Sequence, residues 1–330
     1  MTNNSSSYCD FAAEHTVKLP LPVLFSANEA VSVKQSVQEL FQNNAGKISL
    51  LLLDFSKTTF MDSSGIGALV NCRKLTAAEG ANLRLINLSS QVRMVLSLTN
   101  LDEVFEIESI ESSNVVTVSE ASQSDIITHP SMKSKPKRFL DILGALVGLG
   151  ITAILFIPIA LLIKLEDGGP IFFGQMRCSW LGKKFRMWKF RSMVTNAEAL
   201  KHTIENKMSG ALFKNPDDPR ITRIGKFLRR TSLDEFPQFW NVLRGDMSLV
   251  GTRPPTPDEI DRYEILQWRR LDIKPGMTGE WQVHGRSQVT NFEQVVELDL
   301  RYQENWSFWY DIQLILKTII VMFNKNSGAY

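Results

Sequence analysis

Phe139–Leu165 constrains this chain more than any other stretch, because it is the one long apolar run in the sequence. Its charges sit at the margins, Asp141 near the start and Lys164 near the end. Crossing a bilayer takes about 20 residues, whereas an ordinary core helix runs to about 10–14. The run is therefore read as a membrane helix, with a buried core helix as the lesser alternative. Pro158 lies inside it. A proline cannot donate to the carbonyl four residues earlier, here that of Ile154, and its ring crowds that carbonyl. A bend or break is expected there.

On either side of this run the chain changes character. Residues 1–131 carry 8 Lys and Arg against 14 Asp and Glu, while the remainder carries 29 against 21. The first part is acidic and the second basic, which points the second part towards phosphates, a membrane surface or nucleic acid. Cys9, Cys72 and Cys178 are too far apart for a metal motif or a disulfide framework, so a reducing setting is expected. The polar start, Met1 to Asp10, lacks an apolar signal core, and no export of the first half is expected.

From Thr16 to about residue 110 the pattern alternates between strand and helix. Strands are expected at Thr16–Leu19, Ile48–Phe55, Leu83–Leu88 and, at the edge, Leu101–Ile107. Helices are expected at Gly65–Ala78, with Gly80 as a stop, and at Gln91–Leu98. This alternation predicts an α/β layer. Residues 111–136 turn to Ser, Thr, Glu, Lys and Pro and read as a linker ending in the basic cluster Lys133, Lys135, Lys137 and Arg138. Near the other end, Trp306, Trp309 and Tyr310 precede the apolar Ile312–Phe323. That pairing suits a helix at headgroup level, and equally an aromatic-rich core helix.

The most informative chemistry lies in 218–238, where Asp234 and Glu235 follow Arg220, Arg223, Lys226, Arg229 and Arg230. A carboxylate pair among cations suits phosphate chemistry. One carboxylate can attack phosphorus, the other can hold a divalent metal, and arginines bind phosphate as a fork. A plainer reading competes with this one. Ser232-Leu-Asp-Glu235 also matches a capping box, with the acids simply favouring a helix's first turn.

The span from Lys137 to Tyr330 resembles the bacterial sugar transferases, the monotopic polyprenyl-phosphate phosphoglycosyl transferases. Matching blocks occur in order. They are Lys137-Arg138-Phe-Leu-Asp141, the apolar segment with its proline, Gly169-Pro170-Ile-Phe-Phe-Gly-Gln175 with Arg177, and Lys189-Phe-Arg191-Ser-Met193. Leu228–Gln238, Asn241–Gly251, Arg253-Pro254-Pro255, Lys274–Gly279, Trp281-Gln282 and Gly285-Arg-Ser287 follow. The resemblance implies a membrane α/β catalytic domain with a re-entrant helix at 139–165 and amphipathic interfacial helices. It implies that Asp234 attacks a UDP-sugar and that Glu235 holds Mg²⁺. Lys189, Arg191, Arg220 and Arg229 would contact phosphate, and Arg253 with Pro254 the nucleotide. Lys137, Arg138 and Pro158 would serve the membrane or the lipid phosphate. The chain departs from the family at Thr252, Ser179 and His284, and His284 is given no role.

Leu51–Ser56 followed by Phe60-Met-Asp-Ser63-Ser64-Gly-Ile-Gly67 is similar to the STAS domain of sulfate transporters and anti-sigma-factor antagonists. The resemblance implies an α/β domain over residues 1–110, ahead of the linker at 111–136 and a transferase domain at 137–330. Ser63 and Ser64 would sit at a helix N-terminus, where added phosphate is tolerated. Asp62 or Ser63 acting only as a cap is the alternative.

The partners expected are a UDP-sugar, a polyprenyl phosphate, the inner membrane with both domains on its cytoplasmic face, a homodimer and a regulatory protein that binds the STAS domain. Nucleic acid is not expected, since no matching motif exists and it would leave the apolar run unexplained. A membrane-tethered signalling protein with an inactive transferase half is the rival, and the intact Asp234-Glu235 pair argues against it.

Overall fold

The computed structural model describes residues 10–13, 15–108, 128–200, 204, 215, 217–285, 289 and 291–323. The chain divides into two compact units. The first comprises Met1–Thr128, Leu181–Lys183 and Tyr263–Asp272, and the second the rest.

In the first unit, β1 (Asp10–Ala13) pairs antiparallel with β2 (Thr16–Pro20). After β3 (Leu24–Phe25) comes α1 (Ala27–Asn43), whose buried Ala30, Val33, Val37 and Phe41 repeat at helical spacing. β4 (Leu50–Asp54), β5 (Phe60–Met61), α2 (Ser63–Ala78), β6 (Asn82–Ile86), α3 (Ser90–Leu98) and β7 (Glu106–Glu108) complete it. The five-stranded sheet runs β1-β2-β4-β6-β7, with every pair after the first parallel. Leu51 and Leu53 of β4 are fully buried at the centre of that sheet. The β1–β2 hairpin replaces the single strand expected near Thr16. The edge strand is shorter than Leu101–Ile107, because Val104 and Phe105 donate back to the Leu101 carbonyl and close a turn.

In the second unit, α4 (Pro130–Lys133) and α5 (Lys135–Asp167) occupy residues expected to be linker. The expected linker's 111–127 lie outside the described residues, as do Arg286 and Ser287 of the last matched block. Helix rather than linker forms at 130–136 because its breakers sit where a helix begins. Pro130 and Pro136 lie in first turns, and the Ser134 hydroxyl accepts from Lys137 N at 3.3 Å. The 33 residues of α5 correspond to about 50 Å of helix measured along its path. No break interrupts it at Pro158. The carbonyl deprived of a donor is that of Ile154, on the exposed side at 78% exposure, and the ladder resumes beyond it.

The hairpin of β8 (Phe172–Cys178) and β9 (Lys184–Phe190) follows, then α6 (Arg223–Arg230), a 3₁₀ helix at Leu233–Gln238 and α7 (Phe239–Arg244). β10 (Ser248–Val250) and β11 (Gly276–Thr278) pair in parallel. α8 (Pro257–Ile260) lies between them in sequence, and α9 (Glu280–Gly285), α10 (Phe292–Glu304) and α11 (Phe308–Phe323) end the unit.

One face of α5 is buried against this unit along its length, through Lys137, Asp141, Ala145, Gly148, Thr152, Ile159 and Ile163. A Cβ at Gly148 would stand 2.3 Å from the Phe239 ring, so only glycine allows that approach. The opposite face carries Phe139, Leu143, Val147, Ile154, Ile157 and Leu165, each at least half exposed. In α11, Trp309 is 73% exposed beside exposed Leu316, Ile319 and Ile320. Trp306 and Tyr310 instead pack into the core around Val250, Tyr302 and Leu314. The aromatic cluster thus divides between surface and core.

Candidate active site

The site is built on a chain reversal. Helix α6 ends at Arg230, and Ser232 then takes a left-handed backbone at φ 56°, uncommon for a residue with a side chain. This turn launches the 3₁₀ helix that carries Asp234 and Glu235. The Ser232 side chain makes no cap hydrogen bond, so the capping-box alternative does not describe this segment. Glu235 is turned instead to Lys189 of β9, with Nζ and Oε1 3.0 Å apart. Asp234 is buried.

Arg229 stands in the same electrostatic neighbourhood. Burial pulls its guanidinium below the ordinary value, and the carboxylates of Asp234, Asp218 and Glu235 oppose that shift. Its Nε donates to Ser192 Oγ at 2.9 Å, which fixes the plane of the fork. Next to it Arg220 grips Asp218, with Nε–Oδ1 at 2.9 Å and Nη2–Oδ2 at 2.6 Å. Burial raises Asp218, but the Arg220 hydrogen bonds and the Arg229 charge outweigh it and hold the carboxyl below its usual range. The structure therefore brings Asp234, Glu235, Lys189 and Arg229 together, with Arg220 behind them through Asp218.

The other predicted residues sort differently. Arg191 is buried and ion-paired to Asp167, the last residue of α5, so it ties the helix end to β9. Arg253 forms a fork with buried Glu259, at 2.9 and 3.3 Å. Burial raises Glu259, but the charges of Arg253 and Arg177 more than offset this and keep it ionised. Pro254 offers its carbonyl to Arg177 at 2.8 Å, so Arg253 and Pro254 form a second cluster with Arg177 and Glu259.

Lys137 is corrected from headgroup contact to core. It is buried, with Nζ 2.7 Å from Asp311 Oδ2 and 2.9 Å from the Val250 carbonyl. Arg138 donates to the carbonyls of Val242 and Leu243 and so caps the end of α7. Both side chains are held by protein because α5 begins inside the unit rather than at its edge. His284, given no role from sequence, lies 2.7 Å from Glu280. In the first unit, Asp62 caps α2 by accepting from Gly65 N at 3.0 Å, and Ser63 and Ser64 are fully buried.

Sequence reasoning missed Asn241. Its Oδ1 accepts from Trp188 N at 3.1 Å and its Nδ2 donates to the Arg186 carbonyl at 2.8 Å. This side chain locks α7 to β9, and hence Glu235 to Lys189. Its position in the matched block Asn241–Gly251 was the available signal.

Among the described residues no cluster of three or more His, Cys, Asp or Glu exists to hold a metal. Mg²⁺ is usually held by one or two carboxylates together with substrate phosphates. Glu235, partly exposed beside Asp234, fits such shared coordination.

The family model for bacterial sugar transferases matches residues 132–325, more than half of the chain. The chain belongs to the bacterial sugar transferase family. The STAS domain model matches residues 13–114, the α/β layer of the first unit. The galactosyl transferase CpsE of Streptococcus agalactiae is 54% identical over 191 residues, covering 56% of this chain and 42% of that protein. The undecaprenyl-phosphate galactose phosphotransferase of Salmonella typhimurium is 44% identical over 200 residues, covering 59% and 41%. The chain thus spans about two fifths of the length of these curated relatives. Among solved structures, the protein TM1081 is 25% identical, covering 33% of this chain and 84% of that one, with a TM-score of 0.29. The sugar transferase match contains every candidate site residue except Ser63 and Ser64, which fall within the STAS match.

Proposed function

We propose that this sugar transferase moves a sugar phosphate from a UDP-sugar to a polyprenyl phosphate, the opening step of a surface glycan. The observation that carries the reading is the buried Asp234 carboxylate set beside Arg229, with Glu235 paired to Lys189. Asp234 attacks the β-phosphorus of the donor, and the bond to the bridging oxygen breaks, releasing UMP. The sugar phosphate is left as an acyl phosphate on Asp234. A terminal oxygen of the polyprenyl phosphate then attacks the same phosphorus, freeing the carboxylate and giving the polyprenyl-diphosphate sugar. Arg229 and Lys189 face the charge that develops on the phosphoryl oxygens. Glu235 would hold Mg²⁺, which when bound would supply neutralisation of phosphate charge. Arg253, held by Glu259, receives the nucleotide end. The deciding experiment incubates the full-length protein, in membranes, with a panel of UDP-sugars and polyprenyl phosphate. UDP-galactose comes first because two relatives bear that sugar in their names. UMP release that depends on the lipid supports the assignment, and its absence with every donor rejects it.

The same reading places the chain on the cytoplasmic face of the bacterial inner membrane, where nucleotide sugars are made. Both ends of α5 rest on one unit. Near its start Asp141 accepts from Ser248 Oγ at 2.9 Å and Leu249 N at 2.8 Å, and near its end Glu166 accepts from Arg223 N at 2.7 Å. That supports a helix whose apolar face enters lipid while its two ends stay on one side. In a background lacking Cys9, Cys72 and Cys178, single cysteines at Lys135 and Pro170 are expected to react with an impermeant thiol reagent from the cytoplasmic side only. Labelling from opposite sides would make α5 a true span.

A further inference from the structure

The serine face of the first unit is already occupied. The Ser63 hydroxyl donates to the Asp272 carboxylate at 2.6 Å and lies 2.7 Å from the Trp268 carbonyl, and the Ser63 N–H reaches the same carboxylate at 3.2 Å. The Trp268 ring lies over Gly67, where a Cβ would stand 2.6 Å from it. These contacts come from a 3₁₀ helix, Ile265–Leu271, and the residue after it. That segment lies in the stretch matched by the sugar transferase model, yet it belongs to the compact unit of the STAS domain.

We propose that the STAS domain uses its serine face to hold the Ile265–Asp272 segment of its own chain, so that this segment and a negative charge at Ser63 exclude one another. The inference does not depend on the transfer reaction. Three observations support it. Ser63 and Ser64 are fully buried, so nothing else reaches this face while the segment is docked. Two carboxylates, Asp62 and Asp272, already flank Ser63, with Arg269 as a nearby cation. A phosphate or carboxylate at Ser63 would face Asp272 at hydrogen-bond distance and be repelled. Finally, Ser64 Oγ and Trp268 Nε1, one on each side of the contact, are buried without a hydrogen-bond partner among the described residues. Native cores seldom leave such atoms unmatched, whereas a contact that opens can return both to water.

The crowding of charge shows in the acids themselves. Burial, reinforced by the facing Asp272, pushes Asp62 up to about 6, and burial raises Asp272 as well.

Hydrogen exchange on the full-length protein in nanodiscs tests the proposal. Ser63→Asp is expected to speed exchange across 264–272 by about tenfold or more while β4 and β6 keep their protection. Ser63→Ala, which removes the hydroxyl's two bonds but adds no charge, is expected to speed exchange there clearly less than Ser63→Asp. Asp272→Ala removes the partner without touching the STAS sheet and is expected to open the same segment, so it decides the matter if Ser63→Asp disrupts the domain. Unchanged protection of 264–272 in Asp272→Ala, or in a folded Ser63→Asp, overturns the proposal. Equal opening by Ser63→Ala and Ser63→Asp also overturns it, because charge would then be irrelevant.

Discussion

Asp234→Asn is expected to lower turnover by a factor of about 10⁴ or more, as removal of a nucleophile does elsewhere. The amide matches the carboxylate in shape, so the turn after Ser232 and the Lys189–Glu235 pair should survive the change. It has no anionic oxygen to attack phosphorus, however. Loss of UMP release, with binding of the donor retained, is the result that assigns the step to this side chain. Glu235→Gln should also be severe, and raising the Mg²⁺ concentration should restore part of its activity. Turnover by Asp234→Asn close to that of the parent would remove the covalent intermediate from the mechanism.

Lys137→Met is expected to destabilise the protein by about 3–5 kcal/mol, the usual cost of stranding a buried charge. Asp311 is fully buried and accepts from Lys137, from Tyr302 at 2.7 Å and from Trp306 at 3.3 Å. Without the ammonium its charge has no counterion at that spot. The double variant with Asp311→Leu should recover much of the loss, since a matched apolar pair carries no such charge. Denaturant titration of the detergent-solubilised protein measures both. Unaltered stability in Lys137→Met, with weaker binding to anionic vesicles, would return Lys137 to the lipid headgroups.

The two outcomes bear on how far the sequence could be read. The apolar run, the alternation of strand and helix and the acidic pair were legible because each rests on a local signal: length, alternation or charge spacing. Lys137 was not, because a lysine beside an apolar run looks the same whether it meets lipid or a carboxylate 174 residues away. The helix start at 130–136 was hidden by its own capping residues, since Pro and Ser end structure as readily as they begin it. The hairpin at Asp10–Ala13 carries no clean alternation to reveal it. Asn241 and Glu259 act by holding other parts of the site, and such roles depend on contacts between segments that no local pattern encodes.

Asn241 also bears on how the β8–β9 ribbon is finished. One edge of β9 is paired with β8, and a bare second edge would offer a row of donors and acceptors to any extended chain that drifted alongside. The carboxamide meets that row with one acceptor and one donor, imitating a neighbouring strand for the length of a single residue. The two-stranded ribbon is thereby closed without a third strand, and the space a third strand would fill is left to the short helix that bears the carboxylates. Replacement of Asn241 by Ala would free that helix to shift along β9 and so loosen the Lys189–Glu235 pair.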